Sequence, residues 1–449
     1  MRTTERPGAD RSGTRQPGVT RGRRTLGTAG TAAVVAAGLL AIRLTNQAGR
    51  WLQDHGHRMQ VNAPPLTGNV EPRLPPIAAL TVAVGAAGVA GADIVARRLA
   101  WRRLIWAAFG AALLWAVVLA AWDGAAGFTR SAASPVDYRA ALPLIGSPER
   151  FLSTFVDTIG RYPSHVRAHP PGLALVVYVM EAIGLRGAGP LAALELFVGA
   201  LSVPAVLIAV RDVASETHAR AAAPFVVFLP AAVFWSSGDA IFLGVGTWAV
   251  TLLILATGDR ERRADLLAIG GGLLAGAGVF LSYGLVLLGV VPLAVAVKRR
   301  AWRPLVVACL PVAAWFALFA VAGFWWFDGL AATRVQYAES LARVRPYPFF
   351  LAANLAALLV ALGPAVWVAV ARLRDRRLWL LVGAALVAVA VADISGLSKA
   401  EVERIWLPFM PWIAVATAGA FDDASARRTW LCVNVTWAIA VQALVRSPW

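Results

Sequence analysis

Long apolar runs separated by short basic clusters constrain this chain more than any other feature. Runs of spanning or near-spanning length lie near 27–44, 76–95, 103–121, 190–210, 221–236, 240–257, 264–282, 284–297, 304–326, 348–371, 378–396, 405–421 and 429–446. A membrane-crossing helix needs about 20 mostly apolar residues. The nine strongly apolar residue types make up 59% of the chain and charged residues only 15%. The sequence therefore predicts an all-α, polytopic transmembrane helix bundle of about 13 spans. The net charge of +17 does not point to nucleic acid, because the basic residues sit between the apolar runs. They form clusters at Arg23-Arg24, Arg97-Arg98, Arg102-Arg103, Arg260 to Arg263, Lys298 to Arg300, Arg372 to Arg377 and Arg427-Arg428.

That pattern sets orientation, since cytoplasmic loops carry the excess of Lys and Arg. With the N-terminus in the cytoplasm and strict alternation, every basic cluster falls inside. Segments 45–75, 122–171, 327–347 and 397–404 then fall outside. The expected location is the cell membrane, with multiple passes and the large loops extracytoplasmic. Residues 1–24 are rich in Arg, Gly, Thr and Pro and are expected to form a disordered basic cytoplasmic tail. Residues 25–449 form one transmembrane domain. The apolar stretch 172–185 is short and reads as re-entrant or lying against the outer face, because a crossing there would move Arg260 to Arg263 outside. Cys309 and Cys432 both fall within apolar runs, which argues against a disulfide framework.

Polar groups are costly in hydrocarbon, so chemistry should collect where water reaches. The loop 122–171 holds Asp123, Asp137, Asp157, His165, His169 and several arginines. Within it, residues 147–160 read as an amphipathic interfacial helix. Ser147 is the N-cap, Pro148 occupies the first position and Phe151, Leu152, Phe155, Val156 and Ile159 form the apolar face. His165 and His169 are four apart, but Pro163, Pro170 and Pro171 oppose the regular helix a metal pair would use. No cluster at metal-ligand spacing calls for a metal. No cofactor is required, and a divalent ion is unsupported. In the apolar runs, Glu181 and Glu195 flank a turn and are expected at similar depth.

The chain resembles the GT-C superfamily of integral-membrane glycosyltransferases, with protein mannosyltransferases and lipid A aminoarabinose transferases as the nearest branches. Asp123-Gly124 and Asp137-Tyr138, His169-Pro170-Pro171-Gly172, Ser236-Ser237-Gly238-Asp239 and the stretch Glu403-Arg404-Ile405-Trp406-Leu407-Pro408 through Pro411 carry the likeness. It covers roughly residues 100–420. The adjacent acidic pair of that superfamily is absent, two extra spans lead the chain, and a large C-terminal soluble domain is lacking. The resemblance implies transfer of a sugar from a polyprenyl-phosphate carrier to an acceptor on the extracytoplasmic face. The partners it implies are a lipid-linked donor, an acceptor of unspecified chemistry and membrane lipids. Asp137, with Asp123 second, is the candidate general base. His169, His165, Arg404, Glu403, Asp239, Arg343 and Arg345 are candidate substrate or phosphate ligands, Arg404 foremost. A transporter or lipid-carrier flippase is the main alternative and a membrane scaffold a third. The apolar mid-spans and one-sided charges favour the enzyme.

Overall fold

In the computed structural model, residues 27–445 are described except 60, 62, 259, 260 and 422, and except for the side chain of residue 261. The expected tail at 1–24 lies outside the described residues. Among the described residues the chain is helical, with no strand. Eight helices are long and apolar enough to cross a membrane: Thr28–Asp54, Ala78–Arg98, Trp101–Asp123, Ala188–Val213, Asp239–Gly258, Arg262–Leu281, Arg303–Val321 and Arg376–Ile394.

The expected count of 13 is not confirmed, and proline and glycine explain most of the difference. The run 221–236 stops as a helix at Val227, after Pro224, and resumes as a 3-10 turn at Pro230–Phe234. The run 405–421 is cut by Pro408 and Pro411 into short α and 3-10 pieces. The run 284–297 is half 3-10 turn, leaving a helix only at Val290–Arg299. The run 348–371 bends by 102° between Tyr347–Leu362 and Pro364–Arg372. Its hinge is Gly363 at φ +79, where a Cβ would stand 2.4 Å from Asn434 Oδ1. The helix Ala424–Leu444 is continuous, but Arg427, Arg428, Asn434 and Gln442 make it too polar to count. Broken backbone of this kind is tolerable at membrane depth only where protein surrounds it. Residues Leu407–Ala416 are buried throughout.

The stretch expected to be re-entrant forms the helix Gly172–Ala182 of 11 residues. At 1.5 Å per residue it extends about 16 Å, half of a bilayer core. The helix Pro148–Thr158 forms as expected, with Ser147 Oγ accepting from Arg150 N–H at 3.3 Å. Its apolar face is taken up by the protein: Phe151 and Phe155 pack on Tyr162, and Phe155 on Phe324.

The helices order the charges into two polar ends. Helix Trp101–Ala120 starts beside Arg211, whose guanidinium lies 4.6 Å from the Trp101 ring, and leads into Asp123. Helix Asp239–Gly258 starts at Asp239 and finishes beside the Arg299–Asp212 pair. Helix Arg376–Ile394 starts at the Asp375 cap and ends at Asp393, which accepts from Asn354 Nδ2 at 2.8 Å. Among the described residues, the basic clusters gather at one end, and Asp123 and Asp137 lie at the other.

Candidate functional site

Asp137, His165, Asp239, Glu401 and Arg404 meet at the end opposite the basic clusters. Four elements bring them together, Glu401 and Arg404 arriving on the same one. Asp137 caps the 3-10 turn Tyr138–Ala141, its Oδ1 accepting the Tyr138 N–H at 2.7 Å. His165 lies on the single helical turn Ser164–Arg167, inserted between Pro163 and Pro170-Pro171. Asp239 opens the helix Asp239–Gly258, where the positive helix end favours a carboxylate. Gly238 precedes it because a Cβ there would stand 2.9 Å from Leu173 and 3.3 Å from the Tyr138 ring. Arg404 lies in the short helix Val402–Ile405.

The turn before Arg404 is strained. Ala400 and Glu401 both take positive φ, 79° and 63°, a region that costs a non-glycine residue about 1–3 kcal/mol. Asn354 steadies it, its Oδ1 accepting from Ala400 N–H at 3.3 Å and its Nδ2 donating to Ser398 O at 2.7 Å. This conformation folds the Glu401 carboxylate back onto Arg404.

The hydrogen bonds fix the protonation pattern. Arg404 Nη1 donates to Asp239 Oδ2, and Nη2 donates to Glu401 Oε2. The same Nη2 lies 3.0 Å from His165 Nε2, while His165 Nδ1 lies 3.0 Å from Asp137 Oδ2. A guanidinium has only donors, so His165 Nε2 must accept and Nδ1 must carry the proton, donating it to Asp137. Ser131 Oγ donates a further bond to Asp137 at 3.3 Å. Burial opposes the charge on Arg404, but Asp239 and Glu401 outweigh it and hold the guanidinium above its ordinary range. Burial likewise pushes Glu401 up, and the Arg404 guanidinium outweighs it downward. Burial, with Asp239 and Asp137, raises the Tyr138 hydroxyl well above its ordinary value, so it stays protonated.

Asp137 is 1% exposed, so a substrate meets His165 and Glu401, the less buried members, before it meets that carboxylate. His169 stands beside the line rather than in it. Its Nδ1 donates to His165 O at 2.8 Å, and its ring tilts against Phe242 and Tyr138. Burial pushes the His169 imidazole down to about 4. Glu403 is buried beside Arg404.

The other sequence candidates take different hydrogen-bond partners, and of them Arg345 lies within electrostatic reach of Glu401. Asp123 is clasped by Arg73 and by Arg130 at 3.2 Å, and Arg73 also donates to Gln442 O and Val445 O at the end of the last helix. Asp123 therefore ties the first loop to the chain's last helix. A small cavity of about 40 Å³ lies between Asp123, Ser131 and Ser237. Arg345 is spent on Met59 O at 3.0 Å and Lys399 O at 2.6 Å, and Arg343 is exposed. Glu181 pairs with Arg139 and accepts from Gly187 N–H. Among the described residues, no group of three or more His, Cys, Asp or Glu could hold a metal ion. Sequence reasoning missed Glu401 as a member. The visible signal was its i,i+3 spacing from Arg404. It also missed Tyr138, which appeared only as the neighbour of Asp137.

No protein-family model matches the chain, and no curated protein matches it.

Proposed function

We propose that this chain is a membrane glycosyltransferase that moves a sugar from a polyprenyl-phosphate carrier to an acceptor hydroxyl on the extracytoplasmic face. One observation carries the reading: a buried Asp137–His165–Arg404 line in a bundle otherwise made of apolar helices. Ionisable groups inside membrane proteins are expensive, and they mark functional sites by default.

The line has the parts that glycosyl transfer from a phosphate needs. The acceptor oxygen forms a bond to the anomeric carbon, the bond from that carbon to the phosphate oxygen breaks, and the phosphate leaves with the electron pair. The hydroxyl proton needs a base, and the leaving phosphate needs a cation. Arg404 suits the phosphate, because its planar fork binds two oxygens at once. When Arg404 turns to the phosphate it releases His165 Nε2. That lone pair then takes the hydroxyl proton, and Asp137 behind it stabilises the imidazolium. The carboxylate thus works as a base through the imidazole it orients. Asp239 and Glu401 hold Arg404 in place until the donor arrives.

The transporter reading has one observation in its favour, a buried acid at Glu195 within a spanning helix, as proton-coupled carriers use. Two measurements separate the readings. Purified chain in nanodiscs, given labelled polyprenyl-phosphate sugars, should release polyprenyl phosphate and label an acceptor fraction, and His165→Ala should not. Release by neither protein, together with proton-driven uptake or flipping in proteoliposomes, would replace the transferase with a carrier.

A further inference from the structure

A groove of about 740 Å³ runs along the exposed side of the last helix, Ala424–Leu444. Ser425, Thr429, Cys432, Thr436 and Ala440 recur on that side, and their small size gives the groove its width. Val89 of the Ala78–Arg98 helix supplies the facing wall. Trp437 closes another side, its ring fixed by Nε1 donating to Val360 O at 2.9 Å. From Arg428 to Ala440 the helix rises about 18 Å, a little more than one leaflet of a bilayer core.

Arg428 stands at the basic end of this groove, and its neighbour shows what it lacks. Arg427 donates to Asp93 Oδ1 at 3.0 Å and to Phe421 O at 3.3 Å, tying the two helices together. Arg97 also pairs with Asp93. Arg428 is exposed and, among the described residues, makes no ion pair or hydrogen bond. Asp423 lies at the same rim, but its Oδ1 accepts the Ala426 N–H as the helix cap. The helix begins at this rim, so its positive end adds to the charge of Arg428. The Ser425 and Thr429 hydroxyls flank the guanidinium, and Val433, Trp437 and Ala440 make the far part of the groove apolar. A cationic mouth above an apolar channel complements an amphiphile with an anionic head.

We propose that this groove holds one anionic phospholipid. Its phosphate sits on Arg428 with the Ser425 and Thr429 hydroxyls, and one acyl chain lies along Val89, Val433 and Trp437. A second copy of the chain fits less well. Copies in one membrane share an orientation, so a two-fold interface here would set Arg428 against its own equivalent at the same depth. The groove lies at the end opposite Arg404 and does not rest on the transferase reading.

The test is native mass spectrometry of the full chain, delipidated in detergent and titrated with phosphatidylglycerol or phosphatidylcholine of matched chains. The wild type should bind one phosphatidylglycerol, and phosphatidylcholine about fivefold more weakly. Arg428→Gln should weaken phosphatidylglycerol about fivefold and erase the preference. Cys432→Phe, which fills the groove without altering charge, should weaken both lipids. Arg303→Gln, at an exposed arginine of the same end, should bind as the wild type does. If Arg428→Gln does not purify, Cys432→Phe and the comparison of the two lipids carry the test. Equal binding of both lipids by the wild type would overturn the site. So would wild-type phosphatidylglycerol binding by either groove variant, or an equal loss in Arg303→Gln. A dimer that Cys432→Phe dissociates would give the groove to a second copy and overturn the lipid.

Discussion

The two polar ends of the bundle solve the same problem in opposite ways. At the basic end, charges are numerous and several pairs are open. Arg303 and Asp265 pair at 2.7 Å with the arginine 69% exposed, and Arg211 pairs with Glu216 at 45% and 36% exposure. Others close helix ends, as Arg220 does by donating to Ala96 O and Leu99 O. At the opposite end, a single guanidinium at 6% exposure serves Asp239, Glu401 and His165 together. Water screens the open pairs at the basic end, so each of them is nearly dispensable. Protein encloses the Arg404 cluster, so its members depend on one another. Charge number alone would rank the basic end first. Shared, buried partners are the ground on which the other end is proposed as the site.

The comparison predicts a hierarchy of losses. Arg404→Met should have the largest effect on folding, about 3–5 kcal/mol, because it leaves the buried Asp239, and Glu401 beside it, without their cation. Thermal melting in nanodiscs reads it. A loss below about 1 kcal/mol would mean that the cluster is not tightly coupled.

Asp123→Asn should come next, at about 1–3 kcal/mol, through weakened bonds to Arg73 and Arg130. Turnover, where transfer is measured, should survive, because Asp123 ties the loop down and lies outside the His165 line. Loss of transfer at wild-type stability would move the centre to Asp123.

A smaller effect is expected from acid. With a folded value of about 4 against an ordinary 6.5, His169 takes up its proton first in the unfolded chain. The stability it contributes is complete above about pH 6.5 and is lost as the pH falls toward 4. His169→Gln should flatten the dependence of Tm on pH across that window. A slope equal to the wild type's would assign the acid sensitivity to other groups. Arg303→Ala, at the basic end, should change stability least, by about 0–1 kcal/mol. A loss as large as that of Arg404→Met would erase the distinction between the ends.

Much of the frame was legible in the sequence, because apolar length and helix signals are local. Ser147 and Pro148 start their helix where expected, and the basic clusters among the described residues gather at one end. The span count was not legible, since whether Pro224, Pro408 and Gly363 bend, break or end a helix depends on what surrounds them. The candidate site was legible by residue type but not by partnership. His165 and Arg404 are 239 positions apart, and no spacing rule joins them. Asp123 and Asp137 looked alike in one loop. Their difference comes from Arg73 and His165, partners that only folding supplies. Glu195 was visible as an acid in an apolar run, and Glu181, its companion in the sequence, pairs with Arg139.

The central claim is that Asp137, by orienting His165, makes the opposite end a transferase centre. Turnover of labelled polyprenyl-phosphate sugar by purified Asp137→Asn in nanodiscs tests it most directly. The amide keeps the shape but can donate to His165 Nδ1, which moves the imidazole proton to Nε2 and removes the base. Turnover should fall about 10²–10⁴-fold with Tm within a few degrees of wild type. Wild-type turnover by Asp137→Asn would contradict the account.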